Sequence, residues 1–328
     1  MAKESTRDKV LLETLKKLPE ELSRIIIPFL DGYREAVGKR YEETIPNILL
    51  FLDLVLSQAK QPYAFEPYHQ KIRHPIDYYK FGCDFIRPLI DLPKSTVSGL
   101  EHLESKDKKR NVILLANHQT ETDPQAISIL LEKTHPRLAE KIIYVAGERV
   151  VTDPLAIPFS MGCDLLCIYS KRYIDYPPEL KAKKQLHNKN TMELMSRLLQ
   201  EGGKVIYVAP SGGRDRKNPK GIVEVAPFDP ASIEMFYLMA KKAKTPTVFV
   251  PLALSTYDLL PPPETIQKEL GEARSAQHSR VHLAFSAPFD MDHFPGSEET
   301  DKVLRRQNRA NAIWHIVNTN YTQFARLL

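Results

Sequence analysis

The chain has 328 residues, enough for one large domain with a smaller one attached or for two ordinary domains. With 42% hydrophobic and 27% charged residues and a mean hydropathy of −0.34, its make-up is that of a water-soluble globular protein. No apolar run reaches the roughly 20 residues of a membrane-spanning helix, and a net charge of +5 is too mildly basic to point to nucleic acid. That charge fits an anionic small substrate or an acidic protein partner.

The first residues, MAKESTRDKVLLETL, lack the apolar stretch of a secretory signal and turn acidic too early for a typical transit peptide, so a cytoplasm-like compartment is expected. From there to about residue 60, apolar residues recur at helical spacing, interrupted by Pro19 and Pro28. We read a small bundle of three or four amphipathic helices over 1–60. The proline-bearing stretch QPYAFEP (61–67) marks a boundary to a second domain, 61–328. Beyond it, short aliphatic or β-branched runs alternate with helical spans. The predicted strands are NVILLA (111–116), KIIYVA (141–146), DLLCIYS (164–170), KVIYVA (204–209), TVFVPLAL (247–254) and VHLAFS (281–286). This alternation predicts an α/β fold with a mostly parallel central sheet flanked by helices, whose ligands gather at the carboxyl ends of the strands.

Chemistry concentrates at three of those ends. In LLANHQTETDP (114–124), His118 follows the strand and Asp123 stands directly before Pro124. Five helical residues turn about 500°, which would set the two on different faces, so they meet only across a turn. Asp as N-cap with Pro at the first helical position supplies a helix start there. A carboxylate on one ring nitrogen fixes the tautomer and raises the basicity of the other, as a general base requires. On its own the spacing is a weak signal and favours an Asp123 that merely caps, with His118 hydrogen-bonded to nearby backbone. In VAPSGGRDR (208–216), Gly212 and Gly213 permit a tight turn with positive φ, and Arg214 and Arg216 follow; guanidinium groups bind phosphate in bidentate fashion. Lys171 and Arg172 lie just past another strand end.

Other chemistries find little support. Cys83, Cys163 and Cys167 are expected as reduced, buried thiols. Neither they nor the remaining histidines have a metal-ligand spacing, so no metal is expected. There is no nucleophile elbow, Walker loop or dinucleotide fingerprint.

Several ordered blocks carry a resemblance: IRHPIDYYKFGCDFIRPLIDL, NHQTETDP, LLEKTHPRLAE, VAGERVVTDPLAIPFSMG, VAPSGGRDR and PLALSTYDLLPPP. From about residue 63 onward the chain resembles the soluble, plastid-type glycerol-3-phosphate 1-O-acyltransferases of plant plastids and some bacteria. These belong to the wider glycerolipid acyltransferase group marked by N-H-x4-D. The resemblance implies acyl transfer from acyl-ACP or acyl-CoA to glycerol 3-phosphate. His118 would be the base and Asp123 its partner, with Arg214, Arg216, Lys171 and Arg172 at the phosphate. Plant members carry Lys-His where this chain has Arg172-Tyr173, which leaves the role of Tyr173 open. No cofactor beyond the acyl thioester co-substrate is implied, nor any transmembrane segment, while contact with a membrane surface stays open. The implied compartment is bacterial cytoplasm or, for a mature plastid form, the stroma. Two rival readings remain. One is a phosphohydrolase built on His118 and the arginines. The other is a non-catalytic module for acyl carrier protein, using basic stretches such as KAKKQLHNK (181–189) and RRQNR (305–309).

Overall fold

The computed structural model describes residues 6–171, 174–262 and 274–327. Three helices come first: α1 (Thr6–Lys16), α2 (Glu20–Val37) and α3 (Tyr41–Lys60). Pro19 precedes α2, but Pro28 lies inside it and does not end it, contrary to the expected break. A mid-helix proline costs about 3 kcal/mol. Ile26, Phe29, Leu30 and Tyr33 on either side are buried, at about 1.5–3 kcal/mol for a large apolar side chain, and burial wins.

The sheet has eight strands in the order β1-β5-β4-β6-β3-β9-β10-β2. They are β1 (Tyr68–His69), β2 (Thr96–Ser98), β3 (Asn111–Ala116), β4 (Ile142–Gly147), β5 (Asp164–Ile168), β6 (Val205–Val208), β9 (Thr247–Ser255) and β10 (His282–Phe285). Strands β7 (Arg216–Lys217) and β8 (Val223–Glu224) form a separate two-stranded ribbon. The five central strands β5, β4, β6, β3 and β9 are mutually parallel. Antiparallel pairing enters at β1 against β5 and at β10 against β9, and β2 joins β10 in parallel. The helices after the first three are α4 (Tyr78–Ile86), α5 (Asp123–Leu131), α6 (Pro136–Lys141), α7 (Arg149–Thr152), α8 (Ile157–Ser160), α9 (Lys181–Glu201), α10 (Pro230–Ala243) and α11 (Lys302–Phe324). The expected mostly parallel α/β architecture is the one observed.

Strand β3 shows why its sequence is apolar throughout. All six residues are buried. Val112, Leu114 and Ala116 enter one apolar cluster, and Ile113 and Leu115 enter the other, as alternation in a doubly covered strand demands. Met195 and Leu199 of α9, Phe236 of α10 and Ile313 of α11 belong to the second cluster. The first cluster takes in α4, α5, α8 and the N-terminal helices together. Tyr33 packs on Phe85 with ring centroids 4.5 Å apart and donates its hydroxyl to the Phe85 carbonyl at 2.8 Å. Phe51 stacks on Phe159 of α8, whose carbonyl accepts from Gln125 Nε2 of α5 at 2.9 Å. The three N-terminal helices are thus packed through α8 onto the helix that carries Asp123.

Candidate active site

Because β3, β4, β5, β6 and β9 run in parallel, the residues following each of them emerge at one edge of the sheet. His118 leaves β3 there, and its Nδ1 lies 2.7 Å from Asp123 Oδ2. An ionised carboxylate only accepts, so Nδ1 carries the proton and donates it, leaving the Nε2 lone pair for chemistry. The carboxylate is 2% exposed and the imidazole 30%, so the pair has a buried anchor and an open end.

Asp123 is not the helix cap expected from the sequence. Helix α5 already includes it as its first residue, with Thr122 at the cap position and no side-chain capping bond. The carboxylate points back into the preceding loop instead. Besides His118 it accepts from Gln119 N at 3.0 Å, Thr120 N at 3.2 Å and the Thr256 hydroxyl at 2.5 Å. Four donors converging on one buried carboxylate fix the loop and the ring orientation together. They compensate what an unpaired buried charge would cost.

The residues flanking His118 fix it further. Asn117 Nδ2 donates to the Leu254 carbonyl and its Oδ1 accepts from Leu254 N, stitching the loop to β9. Gln119 Oε1 accepts from Thr256 N and Tyr257 N. Both side-chain amides also donate to Asp215 Oδ2, at 2.8 Å from Asn117 and 3.1 Å from Gln119. Asp215 is fully buried between Arg214 and Arg216, and its N–H donates to the His118 carbonyl at 2.7 Å. Burial pushes the Asp215 carboxyl up to about 6 despite the N–H groups of Ala226, Asn117 and Gln119 that favour its charge. The arginine turn is therefore bonded to the backbone of His118 itself.

Gly212 adopts φ 63°, which only glycine takes without strain; Gly213, expected to share that conformation, does not. Arg214 is 13% exposed on its side chain, with Nη1 3.6 Å from Glu121 Oε1. Arg216 opens β7 opposite Glu224. Lys171 pairs with Asp229 at 2.5 Å, and Asp229 N–H donates to the Pro210 carbonyl, which brings Lys171 to the same turn. Arg172 and Tyr173 lie outside the described residues.

Sequence reasoning passed over Glu121, Asp153, Asp215, Thr256 and Arg274. Arg274 holds Glu121 through Nε at 2.6 Å and Nη2 at 2.8 Å, and Asp153 through Nη2 at 3.1 Å. Only Glu121 and Asp215 gave a local signal, a charge set inside a motif already singled out. The partners of the rest are too distant in sequence to be read. Cys83, Cys163 and Cys167 are free and buried, and burial pushes each thiol up to about 12, so none is a thiolate nucleophile near neutral pH. Among the described residues no helix is long and apolar enough to cross a membrane, and no group of three or more His, Cys, Asp or Glu is arranged to hold a metal.

Residues 94–255 match the Acyltransferase family model, a span that contains both the His118 loop and the arginine turn. Among curated proteins, a chloroplastic glycerol-3-phosphate acyltransferase of Cucurbita moschata is 40% identical over 315 residues, covering 93% of this chain and 70% of that protein. Its namesakes from Spinacia oleracea and Arabidopsis thaliana are 41% and 39% identical over 315 residues, each covering 93% of this chain and 66% and 68% of those proteins. The chain thus spans about two thirds of the length of these relatives. A solved 1-acyl-sn-glycerophosphate acyltransferase from Thermotoga maritima aligns with TM-score 0.43 and 18% identity, over 86% of this chain and 98% of that one. At such identity over nearly its whole length, the chain belongs to the glycerol-3-phosphate acyltransferase family.

Proposed function

We propose that the protein transfers a fatty acyl group from a thioester, carried by acyl carrier protein or coenzyme A, to the sn-1 hydroxyl of glycerol 3-phosphate, giving lysophosphatidic acid. The observation that carries this reading is the Asp215 N–H bond to the His118 carbonyl. It sets a cationic turn beside an imidazole whose far nitrogen is oriented by a carboxylate. The names of the relatives support the choice of acceptor, and their chloroplastic assignment supports a plastid stroma over a bacterial cytoplasm.

In this reading Arg214, Arg216, Lys171 and Arg172 hold the phosphate and so orient the hydroxyl. Such positioning is worth up to roughly 7–11 kcal/mol in ideal cases. His118 Nε2 takes the hydroxyl proton as the oxygen attacks the thioester carbonyl carbon. Asp123 stabilises the imidazolium. The C–S bond then breaks, and the thiolate leaves with the proton that His118 returns. The thioester is a co-substrate and the chemistry calls for no metal. The N–H groups of Gln119 and Thr120 are committed to Asp123, so oxyanion stabilisation falls to other donors.

The test is thiol release from acyl carrier protein and coenzyme A thioesters, with and without glycerol 3-phosphate. Release that depends on the acceptor is expected. Liberation of inorganic phosphate without thioester consumption would replace this reading with phosphoester hydrolysis. In the same assay, Arg214→Ala and Arg216→Ala should each raise the KM for glycerol 3-phosphate about 10-fold or more. A lost charge-assisted hydrogen bond costs about 1.5–3 kcal/mol and each 1.4 kcal/mol is tenfold. Saturation curves unchanged in both variants would remove the arginines from the phosphate.

A further inference from the structure

The arginine turn has a competitor built into its wall. Glu121 lies within the loop between His118 and Asp123, and its side chain is 15% exposed. A carboxylate beside a guanidinium normally closes on it in a two-bond fork, the same fork that binds a phosphate. Here the fork has gone elsewhere. Both Glu121 oxygens accept from Arg274, at 2.6 and 2.8 Å, and the contact with Arg214 is the longer 3.6 Å. Arg274 is 4% exposed and reaches on to Asp153, which is fully buried. Burial works against the charge of Glu121, but Arg274 first and Arg214 after it outweigh burial and hold the carboxyl below its usual range, so Glu121 is ionised at neutral pH. An ionised carboxylate this close to Arg214 needs another partner if Arg214 is to take a phosphate.

We propose that Arg274 is a positioning residue for acceptor binding: by taking both oxygens of Glu121, it prevents that carboxylate from adopting Arg214 as its forked partner and displacing the substrate phosphate. The pairing has a second effect on geometry. Arg274 ties the middle of the His118–Asp123 loop to Asp153 beyond β4, and so holds Glu121 at its longer 3.6 Å contact with Arg214. This inference rests on the acceptor assigned above. Absence of acceptor-dependent thiol release from the unaltered protein would defeat that assignment, whereas the variants below test Arg274 alone.

The experiment is a double-mutant cycle on the KM for glycerol 3-phosphate, with kcat, the KM for the thioester and Tm recorded for each variant. Arg274→Met should raise the KM for glycerol 3-phosphate about 10-fold, with the thioester KM held within about 2-fold. Glu121→Gln, which removes the competing charge, should stay within about 3-fold of the unaltered protein. The combination should also return to within about 3-fold, even if its Tm falls below that of either single variant. A purely structural salt bridge gives no such relief. Arg274→Lys provides the same cycle with charge retained, because an ammonium cannot hold both oxygens in a fork; a smaller rise, again relieved by Glu121→Gln, is expected. A KM unmoved by either Arg274 variant, or a combined variant no better than the Arg274 variant alone, would overturn the proposal.

Discussion

His118→Ala is expected to lower turnover by about 10²–10⁴ while changing the KM for glycerol 3-phosphate little, since general-base help is typically worth that much and the cationic turn is untouched. The truncation leaves the fold largely intact. The imidazole is 30% exposed and its Nδ1 bonds to Asp123, which retains three other donors. Thiol release under saturating acceptor measures the effect. Turnover close to that of the unaltered protein would dismiss His118 as the base, and a fall accompanied by a large rise in KM would move it to acceptor binding.

Asp123→Asn should be comparably damaging for a different reason, with kcat falling by about 10²–10⁴. The substitution keeps shape and removes charge, but three of the four groups facing it are N–H donors, His118 Nδ1 and two backbone N–H groups, and only the Thr256 hydroxyl can turn to accept. An amide places its own NH2 against one of them. If it faces Nδ1, that nitrogen becomes an acceptor and the proton moves to Nε2, the atom needed to take the hydroxyl proton. In that orientation the Gln119 N–H loses its partner as well, and in the other the Thr120 N–H does, at about 1–3 kcal/mol in either case. Measured kcat and Tm separate the cases. Loss of activity beyond what the fall in Tm accounts for is the signature of the wrong tautomer, whereas normal activity would leave Asp123 a mere loop fastener.

The middle of the sheet was legible because its strands are apolar on both faces, while the short, partly exposed edge strands β1 and β2 gave no such run and were not expected. NVILLA, KIIYVA and TVFVPLAL need no partner information to be read as covered parallel strands, and each lies within a residue or two of the strand observed. Local chemistry was less reliable where tertiary contacts compete with it. Pro28 reads as a break yet sits inside α2, and Asp123-Pro124 reads as cap and first residue although Asp123 is already helical and faces the loop. His118 and Asp123 could be named from sequence, but their 2.7 Å contact could not, since it depends on a loop held by Asn117 and Gln119 against β9 and Asp215. Arg274 was invisible for the same reason: its partner Glu121 is 153 positions away. Charges that recognise a ligand cluster in motifs; charges that hold those motifs in place come from wherever the topology brings the chain back.

The most direct measurement is a crystal structure of the protein with glycerol 3-phosphate bound. The phosphate should lie on Arg214 and Arg216, with the sn-1 hydroxyl oxygen within about 2.6–3.2 Å of His118 Nε2, the reach of a proton transfer. A phosphate seated elsewhere, or a hydroxyl turned away from the imidazole while the arginines hold the phosphate, would contradict the assignment of this sheet edge as the place where the acyl group changes hands.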